Sequence, residues 1–515
     1  MTTTWTDGYQ TEVNYTYGYY KDLSPNYQKF CLLLNGIDTL ANHEDQAHCE
    51  LGFGQGVSLN VHAASSTGKF YGTDFNPAHA AHANMLAEKS ESEHHFFDSS
   101  FEELLNADLP QFDSISLHGI WSWISHENQA IILKFIRHYL KPNGIVYISY
   151  NCLTGWAANM PIRELFHSHF KFNSKSHNPL QKVNDSLNFS ESLLKLEPIF
   201  AKRNPNALNK VLELKNQNPN YLIHEYLNQD WQCFSFQQVM HTFESVKLTF
   251  AGSTDLNSHL DSINLSQEHQ NFLNAIEHPI FKEQCRDYFT NSQFRRDLFI
   301  RGKNTLTPLQ VYEKIKQISF ILLTSPSQIP KKIQGQLGEF NLMQEIYEPL
   351  INYFKKCNYA PLTLEKVESE LQLNPSQIFN AITILCHLGF MQPCFNEPTE
   401  MTISQSQKLN KFLVDQASFH SNYSVLANPY SGIGIPADHF SQLFYRAYFF
   451  EKLKTAKQFA EYVLKVLEQL NLLILDDDRQ TVKDKSKALK ILQARAQLFI
   501  DSDKLKIAEQ LKLFA

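Results

Sequence analysis

The first three hundred residues of the sequence predict an α/β fold, a parallel sheet covered by helices on both faces, and mainly helical domains follow it. Three observations lead there. Between residues 47 and 150, short apolar runs alternate with helix-like stretches, the pattern of strands joined by crossover helices. After a polar, Asn- and Lys-rich interval, strand and helix signals resume between residues 234 and 301. From residue 305 onward the apolar spacing is mostly helical.

In chain order, residues 47–51 read as a strand that runs into a glycine cluster, and residues 57–64 as the helix after it. Residues 69–73 form a strand ending in Asp74. Residues 77–88 form a helix with Pro77 at its first turn, where proline is best tolerated. Strands at 95–98 and 112–117, a helix at 128–140 and a strand at 145–150 follow, with Lys141-Pro142-Asn143-Gly144 as a helix stop and turn. Residues 156–222 read as a helical cap inserted into the domain. A helix at 234–243 and strands at 246–251 and 294–301 complete the sheet. The expected domains are residues 1–303, a winged-helix-like middle domain at 304–400 containing helices at 363–371 and 375–388, and a mainly helical domain at 401–515.

Composition narrows the function. The 515 residues include 38 Phe and 22 Tyr, with 43% hydrophobic residues, ample material for packed cores rather than a disordered chain. Net charge is −7, and it is unevenly spread: residues 1–150 hold seven Lys and Arg against seventeen Asp and Glu. An acidic front domain suits a cationic ligand. Residues 361–390 contain one basic residue, Lys366, against Glu365, Glu368 and Glu370. A recognition helix needs cationic contacts to phosphates, so no nucleic-acid partner is expected. No apolar run approaches the roughly 18 residues that span a bilayer, and Met1 to Asp7 lacks the basic and apolar regions of a secretory signal. The eight Cys are scattered without a CxxC pair, and the closely spaced pairs His79/His82 and His94/His95 lack carboxylates or thiols at ligand spacing. A cytoplasmic protein with reduced thiols and no metal is the expectation.

The strongest chemical signal is Glu50-Leu51-Gly52-Phe53-Gly54-Gln55-Gly56 at a strand-to-helix junction. Gly52, Gly54 and Gly56 allow a sharp turn and close backbone approach to a ligand. Their GxGxG spacing differs from the GxGxxG of dinucleotide sites, and Glu50 disfavours a pyrophosphate while favouring a cationic amino-acid moiety. Asp74, beside Phe75, ends the second strand, where a carboxylate can accept both hydroxyls of a ribose. Asp98, beside Ser99, follows the third strand and can accept an exocyclic adenine amine. Each Asp alone is more often a helix cap; three acids at three successive strand ends form a site.

These residues, with Gly72-Thr73-Asp74 and the turn at 141–144, resemble the class I S-adenosylmethionine-dependent methyltransferases, whose sheet is Rossmann-like. The finer pattern is similar to a bacterial subgroup with a methyltransferase regulatory domain, a subgroup itself similar to the rickettsial protein lysine methyltransferases acting on an outer-membrane surface protein. That likeness rests on Trp5-Thr6-Asp7-Gly8-Tyr9, Tyr15-Thr16-Tyr17-Gly18-Tyr19-Tyr20, His118-Gly119-Ile120-Trp121-Ser122-Trp123-Ile124, Ser149-Tyr150-Asn151, Gly155-Trp156 and Phe294-Arg295-Arg296-Asp297-Leu298-Phe299. It continues weakly through residues 426–435. One departure is Cys152-Leu153-Thr154-Gly155, where the pattern leads one to expect Pro before the Gly.

The resemblance implies S-adenosylmethionine as cofactor and a lysine-bearing protein as partner. A lysine amine, with a pKa near 10.4, must be desolvated to present a lone pair. Aromatic faces attract its cationic form without competing as nucleophiles. Trp121, Tyr150 and Trp156 are expected at the substrate, with at most one of Trp121 and Trp123 facing it. Asn151 and His224, the latter beside Glu225, are expected to orient the amine or close the pocket. His118 at the end of the fourth strand is expected to touch the cofactor, and Tyr19, with Tyr15, Tyr17 and Tyr20, to form a lid over it. The alternatives are a small-molecule N- or O-methyltransferase and a non-catalytic scaffold. Whether residues 304–515 recognise substrate, form a homodimer or regulate stays open at this stage.

Overall fold

The computed structural model describes residues 16–39, 45–256, 260–476 and 480–515. Trp5-Thr6-Asp7-Gly8-Tyr9 and Tyr15 lie outside the described residues. After helix α1 (Pro25–Leu34) come β1 (Ala47–Leu51), α2 (Val57–Ser65), β2 (Lys69–Thr73), α3 (Pro77–Ser90), β3 (His94–Phe97), α4 (Phe101–Leu105), β4 (Phe112–Leu117), α5 (His126–Tyr139) and β5 (Leu140–Asn151). Strands β6 (Thr249–Ser253) and β7 (Phe294–Ile300) close a seven-stranded sheet of order β3-β2-β1-β4-β5-β7-β6. The first five strands pair in parallel, and β7 runs antiparallel to both neighbours. This is the α/β architecture expected from the alternation.

The sheet is buried on both faces. Along β5, Ile145 and Tyr147 enter one core with α1 and the C-terminal region, while Val146, Ile148 and Tyr150 enter a second with α5 and helix Phe236–Glu244. That is the two-residue period of a strand dividing two apolar layers. The first core runs without a break from Phe30 of α1 to Phe320, Leu443 and Phe499.

Several elements differ from expectation. β5 starts at Leu140 rather than residue 145. Leu140 pairs with Phe112, and the register shifts before Ser114 pairs with Ile145. The Pro142-Asn143-Gly144 stretch is thus absorbed as an irregularity inside the strand, with Asn143 left-handed at φ 60. β6 begins at Thr249 instead of 246, because Lys247 turns left-handed at φ 66. The cap extends four residues further than read. Its helices Met160–Phe172, Pro179–Lys195, Ile199–Arg203, Ala207–Lys215 and Pro219–Tyr226 pack around their own small cores. A second helical insertion, Asp261–Asn264, Gln267–Asn274 and Pro279–Thr290, precedes β7.

Beyond β7, helices Gln344–Lys356, Leu364–Glu370 and Pro375–His387 pack beside an antiparallel three-stranded sheet. Helices Glu400–Gln416, His439–Phe449, Ala456–Gln469, Lys485–Asp501 and Lys504–Gln510 follow. Among the described residues, no helix is long and apolar enough to cross a membrane.

Candidate active site

Parallel α/β sheets place their crevice outside the carboxyl ends of the strands. A cavity of about 370 Å³ opens there, within the roughly 300–1,000 Å³ of small-molecule sites. Its floor is the turn after β1. Gly52, Gly54 and Gly56 are all left-handed, at φ 73, 56 and 69, which an L side chain resists. A Cβ on Gly52 would also collide with the Ile120 side chain. Gly52 N–H donates to the Thr73 carbonyl at 2.8 Å, and Gly54 N–H to Asp74 Oδ2 at 2.8 Å, so the loop is tied to the end of β2.

Asp74 is 7% exposed. Its Oδ1 accepts from Asn76 N–H at 3.0 Å and lies 3.1 Å from His79 Nδ1. Oδ2, which accepts only from Gly54, keeps a lone pair for a ligand hydroxyl, whereas both sites on Oδ1 are taken. Glu50, 6% exposed, is pushed up to about 8, first by burial and then by the neighbouring Asp74. A cation in the cavity would relieve both causes. His118 also lines the cavity. Burial lowers it to about 4, so at neutral pH it is an uncharged ring. Its Nδ1 lies 2.8 Å from Tyr147 Oη, and its face lies 3.9 Å from the Tyr20 ring.

Of the residues read from sequence, Glu50, Gly52, Gly54, Asp74, Phe75, Ser99 and His118 meet at this cavity, with Tyr20 and Trp123. Three others assigned to the cofactor stand back from it. Gly56 caps α2, and its missing Cβ lets α3 approach; an added one would lie 2.5 Å from Ala83 Cβ. Asp98 is exposed and does not line the cavity. Tyr19 turns away from the cavity: its hydroxyl accepts from Gly434 N–H at 2.5 Å and lies 3.2 Å from His62 Nε2.

The substrate-side residues need more correction. Trp121 is 1% exposed and packs on Phe243 at 5.1 Å. The turn Trp121–Trp123 is a 3₁₀ helix that sends Trp121 into the core and Trp123 to the cavity. Tyr150 is buried and donates to Asp297 at 2.7 Å. Asn151 accepts from Trp156 Nε1 at 3.2 Å, and Trp156 packs on Trp231 and Tyr226 within the cap core. His224 is buried. None of these five lines the cavity.

The sequence reading missed Ser58, Phe101, Glu102, Glu127, Asn128 and Asp230 in the wall. A signal existed for most of them. Ser100-x-x-Glu103 is a capping box that opens α4, and Ser125 caps α5. Helix starts just after β3 and β4 necessarily face the crevice. Nothing local marks Asp230, which arrives from the cap. Glu225, on the last cap helix, is pushed up to about 7 by burial, and its backbone carbonyl accepts from Trp123 Nε1 at 3.4 Å.

With this geometry in place, known proteins add weight. A family model described as a methyltransferase domain matches residues 49–146, and one described as a predicted methyltransferase regulatory domain matches residues 218–301. The chain belongs to the class I S-adenosylmethionine-dependent methyltransferases that carry a regulatory domain. It is 36% identical over 468 residues to an uncharacterized protein of Synechocystis, covering 90% of this chain and 91% of that protein. An uncharacterized protein of Rickettsia prowazekii is 26% identical over 58% of this chain and 54% of its own length. The structure of PKMT2 from Rickettsia typhi in complex with AdoHcy shares the fold at a TM-score of 0.69 and 19% identity, covering 96% of this chain and 99% of that one.

S-adenosylmethionine is the cofactor of this methyltransferase, and the residues present fit it. The glycine turn leaves room for close backbone approach, Asp74 Oδ2 retains an acceptor site suited to a ribose hydroxyl, and Glu50 is a buried acid whose anion a cation would favour.

Proposed function

We propose that this methyltransferase modifies a cationic amine, the ε-amine of lysine in a protein substrate. One observation carries the reading: among the described residues, five carboxylates line the cavity (Glu50, Asp74, Glu102, Glu127 and Asp230), and no Lys or Arg does. With His118 held neutral, an acceptor bearing a phosphate or carboxylate would meet like charge across a partly desolvated crevice, whereas an ammonium meets opposite charge. The shared fold with PKMT2 of Rickettsia typhi and the resemblance of the sequence to rickettsial protein lysine methyltransferases support lysine over other amines.

Bound S-adenosylmethionine supplies an electrophilic methyl on a sulfonium. The chain's own residues prepare the nucleophile. Deprotonating an amine of pKa ~10.4 at pH 7 costs about 4.6 kcal/mol. Ile120, Ile124 and the Trp123 ring in the cavity wall strip water from the amine and reduce that cost, while the Trp123 and Tyr20 faces still attract its cationic form. The carboxylates in the cavity wall are the acceptors that the crevice offers the released proton.

The test is transfer of a tritiated methyl from labelled cofactor by the full chain to lysate proteins, followed by acid hydrolysis. Label in methyl-lysine is the expected result. Label confined to metabolites, with the protein fraction bare, would reject lysine and support a small-molecule acceptor.

A further inference from the structure

The glycine loop of the cofactor site is held from a distance. His82, on α3, places Nδ1 2.6 Å from the backbone carbonyl of Gln55 and Nε2 2.8 Å from the hydroxyl of Tyr423. Gln55 lies between the left-handed Gly54 and Gly56 and lines the cavity. Tyr423 belongs to the C-terminal region, 341 residues from His82 in sequence.

Chemistry fixes the direction of both bonds. A carbonyl can only accept, so His82 Nδ1 carries the proton. Burial lowers the His82 pKa, leaving Nε2 of the neutral ring an acceptor that Tyr423 must donate to. The bonded chain therefore runs from Tyr423 O–H to His82, from His82 N–H to the Gln55 carbonyl, and from the adjacent Gly54 N–H to Asp74. Tyr17 packs edge-on against both rings, at 5.1 Å from His82 and 5.8 Å from Tyr423. A second strut is parallel to it: Gly434 N–H donates to Tyr19, whose hydroxyl reaches His62 of α2. Leu409, Leu413, Tyr423 and Val425 share a core with Val57 and Val61 of α2, so the struts sit on a packed interface.

We propose that Tyr423 and His82 are positioning residues of the cofactor site, through which the C-terminal region sets the shape of the glycine loop. The donor site is then completed by residues 400–437, and the region beyond β7 acts on cofactor binding rather than only on substrate.

Tyr423→Phe keeps the ring and removes only the donor. Calorimetry with the full chain should show the dissociation constant for S-adenosylmethionine rising roughly three- to tenfold, the worth of one lost hydrogen bond that leaves an acceptor unpaired. In methyl transfer the cofactor KM should rise by a similar factor with kcat unchanged. The control is Tyr359→Phe, which removes another C-terminal hydroxyl, bonded to Asp503 at 2.6 Å, without touching His82. It should leave cofactor affinity at the wild-type value. An unchanged dissociation constant in Tyr423→Phe would overturn the proposal. So would an equal loss in Tyr359→Phe, which would mean that any weakening of the C-terminal region has the same effect.

Discussion

Asp74→Asn isolates the charge on which cofactor binding most depends. The substitution keeps the shape of a side chain that is 7% exposed but removes its charge and one acceptor. In the native site, Oδ2 receives Gly54 N–H and retains capacity for a ribose hydroxyl, while Oδ1 is occupied by Asn76 N–H and His79 Nδ1. At about 1.5–3 kcal/mol for the charge-assisted bond lost to a hydroxyl, the ligand weakens roughly 10- to 100-fold in Kd. The amide also cannot accept at both oxygen positions: if its oxygen serves Asn76, its NH₂ opposes Gly54 N–H and pushes the loop outward, adding to the loss. Isothermal calorimetry with S-adenosylmethionine and with S-adenosylhomocysteine is the assay. Both ligands should weaken by the same factor, because the ribose is common to them. A Kd within threefold of wild type, in a variant with native circular dichroism, would refute the assignment.

Other perturbations separate charge, substrate contact and packing. Glu50 titrates near 8 in the free protein and is favoured as the anion beside a bound cation. Cofactor affinity should therefore fall as pH drops below about 8, with proton release on binding at pH 7 that shows as buffer-dependent enthalpy; Glu50→Gln should abolish the release. The same raised pKa means that the folded state holds a proton the unfolded chain gives up between about 4.5 and 8. Ligand-free stability should decline across that window as pH rises, and Glu50→Gln should lessen the decline in thermal melts. Trp123→Ala, at a buried position that faces the cavity, should raise the substrate KM and cost less stability than Trp121→Ala. Trp121→Ala, which empties a core position, should cost about 3–5 kcal/mol in denaturant unfolding; equal stability of the two variants would contradict their placement.

The sheet was legible because its strands are short apolar runs separated by helix starts and glycine turns, and those signals are local. The same holds for Glu50, Gly52, Gly54 and Asp74, which sit where a strand must end and the chain must turn. The substrate side was not legible. Trp121 and Trp123 have the same chemistry two residues apart, and only the 3₁₀ turn decides which one meets the cavity. The sequence places Trp156 and His224 in the pocket, but the cap forms its own core and draws Trp156 inward, while His224 is buried and does not line the cavity. Asp230 joins the wall and Tyr423 reaches His82 through contacts far apart in sequence, which no local pattern announces. Tyr19 followed the family resemblance toward the cofactor, yet it spans from Gly434 to His62, a role set by a domain whose position the sequence does not reveal.

The most direct measurement is a crystal structure of the full chain with S-adenosylhomocysteine and a lysine-bearing peptide. The account predicts a ribose hydroxyl on Asp74, the glycine turn against the ligand, and the peptide ammonium beside Trp123 within the ring of carboxylates. A ligand bound elsewhere, or a peptide that reaches the cavity through a side chain other than lysine, would contradict it.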